Sequence, residues 1–367
     1  MKTATITYHS VYNYGAVLQA YALQQAQFKL SIDNVIIDYT PEKNKDYHSI
    51  KGNSVKIFIV NLVRIIEMIF NFPAIRRRDK KFASFTKSRL QLSKKYTTLE
   101  ELKSNPPQVS WYIAGSDQLW NVSTQLRKDF FLAFGDSKVK RASFAVSIGS
   151  FTISEEKKEQ MKEYINRFDK ISVREPEAKD YIETLLVKDI PICVNFDPVY
   201  LLSKEEWENF SYKKKIRHKY ILCYPMSGHP LMQKALLKLK ELTGFKIVII
   251  TTELFNRVKG DINIRDACVE EFVALVNNAE FILTTSYHGT IFATLFNKNF
   301  YSLVGGSAPT RITGLLNTLG LSHRIPKSIE DINLEPIDYT GTNTIISHQK
   351  ELSINYLSSL IQSETQT

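Results

Sequence analysis

Phe281-Ile-Leu-Thr-Thr-Ser-Tyr-His-Gly-Thr-Ile-Phe-Ala-Thr-Leu-Phe296 changes character twice within a few turns of chain. The apolar start reads as a buried strand, a polar step follows from Thr285 to His288, and Gly289 opens an apolar helical pattern. A strand, a tight loop and a helix start in that order are the unit of an open α/β sheet, whose ligands bind beyond the carboxyl ends of the strands. The unpaired N–H groups of such a helix start attract phosphate or carboxylate. His288 would stand there as a titratable group with Ser286 beside it. The same pattern also fits an N-cap at Thr285 or Ser286 followed by a structural loop histidine.

The unit recurs along the chain. Lys2 to Tyr8 alternates like a strand, His9 to Gly15 breaks the pattern, and Ala16 to Gln24 takes up helical spacing before a second strand at Asn34 to Tyr39. Further strands are expected at Val109–Ala114, Lys140–Ile148, Lys170–Val173 and Pro191–Phe196, about six in a first, doubly wound domain. A charged link, Lys213 to Lys219, precedes renewed alternation: strands at Tyr220–Pro225, Phe245–Thr251, Glu280–Thr284 and Phe300–Val304, with helices between them and a last amphipathic helix at Ser347–Ile361. The expectation is an α/β protein of two Rossmann-like domains, residues 1–205 and 206–340, facing across a cleft, with residues 341–367 forming a C-terminal helix and polar tail.

Charge and composition narrow the function. Lys and Arg number 48 against 38 Asp and Glu, and the resulting +10 favours an anionic partner. The basic runs lack interleaved aromatics on a nucleic-acid module, so DNA and RNA are not expected partners. Three cysteines stand far apart beside apolar runs, as buried thiols do in a reducing compartment, and no signal-peptide pattern opens the chain; the expected location is the cytoplasm. Val55 to Phe72 is apolar except for Asn61, Arg64, Glu67 and Asn71, one polar stripe on a helix, and Arg76-Arg-Arg-Asp-Lys-Lys81 follows it. That pair suits an anionic membrane surface, and equally a core helix ending in a solvated basic turn.

Candidate chemistry gathers at the predicted strand ends: Asn13 to Gly15, Gly115 to Asp117, Ser286 to Gly289 and Gly305 to Arg311. Arg174 and Arg311 can each grip a phosphate or carboxylate through two parallel hydrogen bonds, or serve in surface ion pairs. Asp117 can accept a proton from an attacking hydroxyl, or cap a helix. Asp197, followed by Pro198, reads as a cap with proline at the first helical position, and not as a chemical group. Walker, complete dinucleotide-binding, zincin and nucleophile-elbow motifs do not occur, nor does an Asp-x-Asp step for a divalent ion; metal-free transfer is expected.

Taken together, Asn13-Tyr-Gly-Ala-Val-Leu-Gln19, Gly115-Ser-Asp-Gln-Leu-Trp-Asn121, Ser143-Phe-Ala-Val-Ser-Ile-Gly149, Ser172-Val-Arg-Glu175, Asp197-Pro198, Thr285-Ser-Tyr-His-Gly-Thr290 and Arg311 with Leu315-Leu316 resemble the polysaccharide pyruvyl transferases, over roughly residues 3 to 320. The resemblance implies a GT-B fold and transfer of the enolpyruvyl-derived group of phosphoenolpyruvate to a sugar as a cyclic ketal, with release of phosphate and no cofactor. It also implies a glycan acceptor, lipid-linked in many members, and action at the inner face of the membrane. On it, His288 is the acid and Asp117 the base. Arg174, Arg311, Ser286, Gly289 and Ser307 hold the phosphoenolpyruvate, and Asn13, Tyr14, Gly15 and Ser116 meet the sugar. Branches of the family with Arg-Leu-His-Gly have an arginine where this chain has Ser286. A GT-B glycosyltransferase using a nucleotide sugar, or a non-catalytic subunit that binds glycan or membrane, are the competing expectations.

Overall fold

The structure is a computed structural model that describes residues 1–41, 55–121, 126–149, 153–212, 216–251, 258–305 and 309–362, with backbone only for 55–70, 309 and 362. Two parallel sheets organise it. In the first, β1 (Lys2–Ile6), β2 (Asp33–Tyr39), β3 (Leu92–Tyr96), β4 (Trp111–Ala114) and β5 (Lys140–Ser143) lie in the order β3-β2-β1-β4-β5. A parallel pair, β6 (Ile171–Val173) and β7 (Ile192–Val194), continues it through bridges from Ala142 to Lys170 and from Val146 to Val173. The second holds β8 (Tyr220–Tyr224), β9 (Lys246–Ile250), β10 (Ile262–Ile264), β11 (Phe281–Thr284) and β12 (Asn299–Ser302), ordered β10-β9-β8-β11-β12. Thr3 stands opposite Trp111 in the first sheet, and Phe281 opposite Ile221 in the second.

Both sheets reverse their winding at one place, between β1 and β4 and between β8 and β11. Connections leave such a switch point in opposite directions and open a crevice at the carboxyl ends of the two strands. The residues after those strands are Thr7 to Gly15, Gly115 to Asp117, Pro225 to Gly228 and Thr285 to His288, three of which the sequence marks as polar loops.

The helices are α1 (Tyr14–Lys29), α2 (Val55–Arg89), α3 (Leu99–Ser104), α4 (Glu155–Ile165), α5 (Pro176–Glu183), α6 (Lys204–Phe210), α7 (Met232–Thr243), α8 (Val269–Asn277), α9 (Tyr287–Leu295), α10 (Pro309–Thr318) and α11 (Thr340–Gln362). Their starts are set locally: the Asn13 side chain accepts from Ala16 N, and the Thr98/Glu101 and Ser203/Glu206 pairs form reciprocal capping boxes. α11 crosses back from the second sheet to the first, where the Tyr356 hydroxyl donates to Ser143 O at 2.8 Å and Lys170 Nζ donates to Ser359 O at 2.9 Å.

One apolar core runs through both lobes. Tyr14, Val17, Phe82 and Phe85 of the first pack with Tyr224, Phe272 and Phe292 of the second. The Tyr14 and Phe272 rings stack 4.5 Å apart and 5° from parallel. Burial of several aromatic rings at one contact is the largest favourable term available there.

Three expectations change. The basic run Arg76–Lys81 is no turn after a helix but lies inside α2, which continues past Pro73 to Arg89. Arg77 and Lys81 there pair with Asp266 and Glu271 of the second lobe. Leu92–Tyr96 and Ile262–Ile264 are strands the alternation missed, both edge strands, the first carrying Ser-Lys-Lys where a buried strand would be apolar. Gly115 to Asn121 runs into turns, not a helix. Among the described residues, no helix is long and apolar enough to cross a membrane.

Candidate active site

His288 occupies the second position of α9, whose start is capped by the Ser286 hydroxyl accepting from Gly289 N at 3.2 Å. That helix points its first turn at the first lobe. A Cβ added to Gly15 would fall on Cγ and Nδ1 of the His288 ring, so the imidazole of one lobe lies flat against a backbone that only glycine leaves open. The ring's Nε2 is 3.3 Å from Asp197 Oδ2, within ion-pair reach but off hydrogen-bond alignment, so that this buried nitrogen has no hydrogen-bond partner among the described residues. The imidazole is thus packed, at 6 % exposure, yet it touches the opposite lobe.

Asp197 is the hub of the site and the residue the sequence ranks too low. It does cap a short 3-10 turn, its Oδ1 accepting from Val199 N at 3.1 Å. Its other oxygen accepts from Arg174 Nη1 at 2.9 Å and sits 3.5 Å from the Ser116 hydroxyl. Burial would raise this carboxyl, but the nearby His288 and Arg174 outweigh it and hold it down at about 2. A buried group with three polar neighbours is invisible to a reading that stops at the local Asp-Pro pair.

Arg174 and Arg311 converge from opposite lobes on one ring. Their guanidinium carbons lie 4.3 and 5.6 Å from the centroid of Tyr287, the residue between Ser286 and His288. Burial and the neighbouring Arg174 charge pull Arg311 below its usual range. Arg174 also donates through Nε to Glu175 Oε1 at 3.2 Å; burial alone would lower it, and the surrounding Tyr287, Glu175 and Asp197 hold it above the usual range. With its amide oxygen turned inward, Gln118 accepts from Arg311 Nη1 at 2.7 Å and from Nη2. Two buried N–H groups, Arg174 Nη2 and Arg311 Nε, keep no hydrogen-bond partner among the described residues.

Asp117 faces the same space, since its charge acts on both guanidinium groups. It caps no helix; its Oδ1 accepts from Gln118 N at 2.8 Å, and it holds φ at +83°, a strained value for a side chain with a Cβ.

The residues expected on the sugar side divide. Gly15 and Asn13 are at the start of α1, Asn13 with its Oδ1 spent on the cap. Tyr14 is fully buried between the lobes, and its hydroxyl donates to Ala267 O at 2.9 Å. Ser116 is fully buried beside Asp197, with its hydroxyl donating to Ala145 O at 2.8 Å. On the other side Gly289 is a packing residue, because a Cβ there would meet Thr284 Oγ1 at 2.5 Å and its N–H already serves Ser286. Ser307 lies outside the described residues. Among the described residues, no group of three or more His, Cys, Asp or Glu is placed to hold a metal ion.

The whole-chain fold is similar to that of solved UDP-GlcNAc 2-epimerases. The enzyme from Neisseria meningitidis, solved bound to UDP-GlcNAc, is 12% identical with a TM-score of 0.51, each chain covered over 99% of its length. A putative UDP-N-acetylglucosamine 2-epimerase from Listeria monocytogenes is 11% identical with a TM-score of 0.56, over 99% of this chain and 96% of that one. At such identities the likeness is one of fold, the GT-B arrangement of two Rossmann-like domains. No curated protein matches the chain significantly. The sequence profile of the polysaccharide pyruvyl transferases matches residues 13–307, a span that includes Asn13, Asp117, Arg174, Asp197 and His288, and the chain belongs to that family.

Proposed function

We propose that this chain transfers the enolpyruvyl-derived group of phosphoenolpyruvate to two hydroxyls of one sugar, making a cyclic ketal and releasing phosphate. The observation that carries the reading is the pair of guanidinium groups brought from opposite lobes to the Tyr287 ring, each with a buried N–H left unpaired among the described residues. Like charges held together in a buried place call for an anion between them. Phosphoenolpyruvate offers two anionic groups, and Arg174 and Arg311 take one each. His288 gives a proton to the methylene carbon, and Asp117 receives one from the attacking hydroxyl. The resting His288 ring is covered by Gly15, so substrates enter when the lobes part and the site forms as they close.

The acceptor in this reading is a glycan, carried on a lipid at the cytoplasmic face of the membrane. The apolar first part of α2 then rests on the anionic surface, next to Arg76, whose guanidinium lies 5.2 Å from the Phe72 ring centroid. Flotation with anionic vesicles, set against neutral ones, tests that placement.

The deciding experiment incubates the protein with phosphoenolpyruvate and candidate lipid-linked oligosaccharides in the absence of added metal, and follows phosphate release and the mass gained by the glycan. A product that forms only with a nucleotide sugar would replace this reading with glycosyl transfer, the chemistry that the shared fold equally permits.

A further inference from the structure

We infer that Glu175 is a second proton acceptor of the reaction, taking the proton of the sugar hydroxyl that closes the ketal ring. The inference rests on the function proposed above and adds to it a residue for its last step.

Ketal formation releases two hydroxyl protons at different moments. In the first step the C2=C3 double bond of phosphoenolpyruvate opens, C3 takes a proton from His288, the first sugar oxygen bonds to C2, and that hydroxyl's proton passes to Asp117. In the second, the bond from C2 to the phosphate oxygen breaks, and the departing phosphate takes the proton from Asp117. The neighbouring sugar oxygen then bonds to C2 and must lose its own proton. That proton recharges His288 through solvent, so hydrogen and charge balance over the cycle. The closing hydroxyl is on a different carbon of the sugar and needs a base within its own reach, on the side away from Asp117, the first hydroxyl and the leaving phosphate.

Asp197 is poorly suited to be that base. One of its oxygens serves Val199 N and the other Arg174, and its carboxylate is held strongly ionised. Glu175 differs. Its Oε1 accepts from Arg174 Nε, while its Oε2 is buried and has no hydrogen-bond partner among the described residues. A carboxylate oxygen shut away from water without a donor costs free energy in the resting protein, and an O–H group brought by a ligand would recover it.

The position agrees. Val146 bridges Asp117 on one side and Val173 on the other, so Asp117 and Glu175 flank the Val146 segment at the same end of the sheet, and Glu175 bonds Arg174 there. Both carboxylates also act on Arg311, which places them around one anion seat. One base on each flank of that seat, with His288 as the single acid, is what an attack by two hydroxyls requires.

The test compares wild type with Glu175→Gln and Glu175→Asp. Phosphoenolpyruvate binding is measured by calorimetry, and turnover by phosphate release and ketal mass on methyl hexopyranosides with a free 4,6-diol or cis-3,4-diol, and on the lipid-linked acceptor. Expected for Glu175→Gln is phosphoenolpyruvate affinity within about threefold of wild type, with ketal formation lowered by about a hundredfold or more. Glu175→Asp restores part of the rate because the carboxylate returns. Affinity and turnover falling by the same factor would mean that Glu175 only holds Arg174, and would overturn the inference, as would turnover within about threefold of wild type. A wild-type protein that neither binds phosphoenolpyruvate nor releases phosphate would sink the proposed function itself, a failure seen without any variant.

Discussion

His288 Nε2 and Asp197 Oδ2 stand 3.3 Å apart across the boundary between the lobes, and the same oxygen accepts from Arg174 Nη1 at 2.9 Å. One buried carboxylate therefore ties the helix-start imidazole of the second lobe to a guanidinium of the first. Removing it strands a buried cation, which costs roughly 3 kcal/mol or more. Asp197→Ala should lower the unfolding free energy by about that amount, while the double substitution Arg174→Met with Asp197→Leu should recover much of it. Chemical denaturation of the two variants and the wild type checks the order; Asp197→Ala within about 0.5 kcal/mol of wild type would show that the pair contributes little.

The same carboxylate gives a pH dependence whose sign follows from its depressed value. Held at about 2 in the folded chain against an ordinary value of 3.8, Asp197 binds its proton more weakly when folded. Its contribution is complete above the ordinary value and is lost as pH falls from about 4 toward 2. Asp197→Asn should flatten that part of the stability profile and leave the slope above about pH 5 unchanged. An acid limb identical in wild type and variant would contradict the assignment.

Gly15 is where the His288 ring lies against the first lobe, and a methyl group there would come within 2.1 Å of Cγ and Nδ1. Overpacking of this kind costs typically 1–3 kcal/mol when neighbours can shift, and here the neighbour that shifts is the proposed acid. Gly15→Ala should reduce turnover by about a hundredfold or more, since a misplacement near 1 Å has that effect, with a loss of only a few degrees in Tm. Near-normal turnover would mean that the contact is not part of the working geometry.

The order of strands and the loops after them were legible because parallel strands buried on both faces read as apolar runs and end in glycine or polar residues. Tyr220 to Tyr224 and Phe281 to Thr284 are buried throughout. Leu92–Tyr96 escaped because edge strands tolerate lysine. Of the site, His288, Arg174, Arg311 and Asp117 were visible as reactive types next to predicted strand ends. Asp197 and Glu175 were not, because their significance lies in which cation each faces, a contact made across strands and lobes. The part Tyr14 plays in joining the lobes was hidden for the same reason: its stack on Phe272 is a contact with a residue far along the chain.

Arg311 reaches the site from α10 with its Nε unpaired among the described residues, while Gln118 holds its two terminal nitrogens. A charge-assisted hydrogen bond contributes about 1.5–3 kcal/mol. Arg311→Gln should therefore weaken phosphoenolpyruvate binding by roughly ten- to a hundredfold in calorimetry. Arg311→Lys should recover little, since an ammonium cannot form two parallel bonds. Unchanged affinity in both variants would move the anion seat elsewhere.

The lobes meet through two kinds of contact, and their magnitudes decide which one holds them. Arg77 and Lys81 of α2 pair with Asp266 and Glu271, but Arg77 is 59% exposed and Lys81 37% exposed at the side chain, so solvent and salt screen both. Such pairs contribute about 0–1 kcal/mol each. Tyr14, fully buried against Phe272 and Tyr224, loses roughly 3–5 kcal/mol on truncation, by analogy with other buried aromatic residues. Tyr14→Ala should thus lower Tm by many degrees, whereas Arg77→Ala with Lys81→Ala should shift it slightly and only at low ionic strength. If the charge variants proved the more damaging, or if about 0.5 M salt separated the lobes in small-angle scattering of the wild type, the joint would be electrostatic and closure would follow ionic strength instead of ligand.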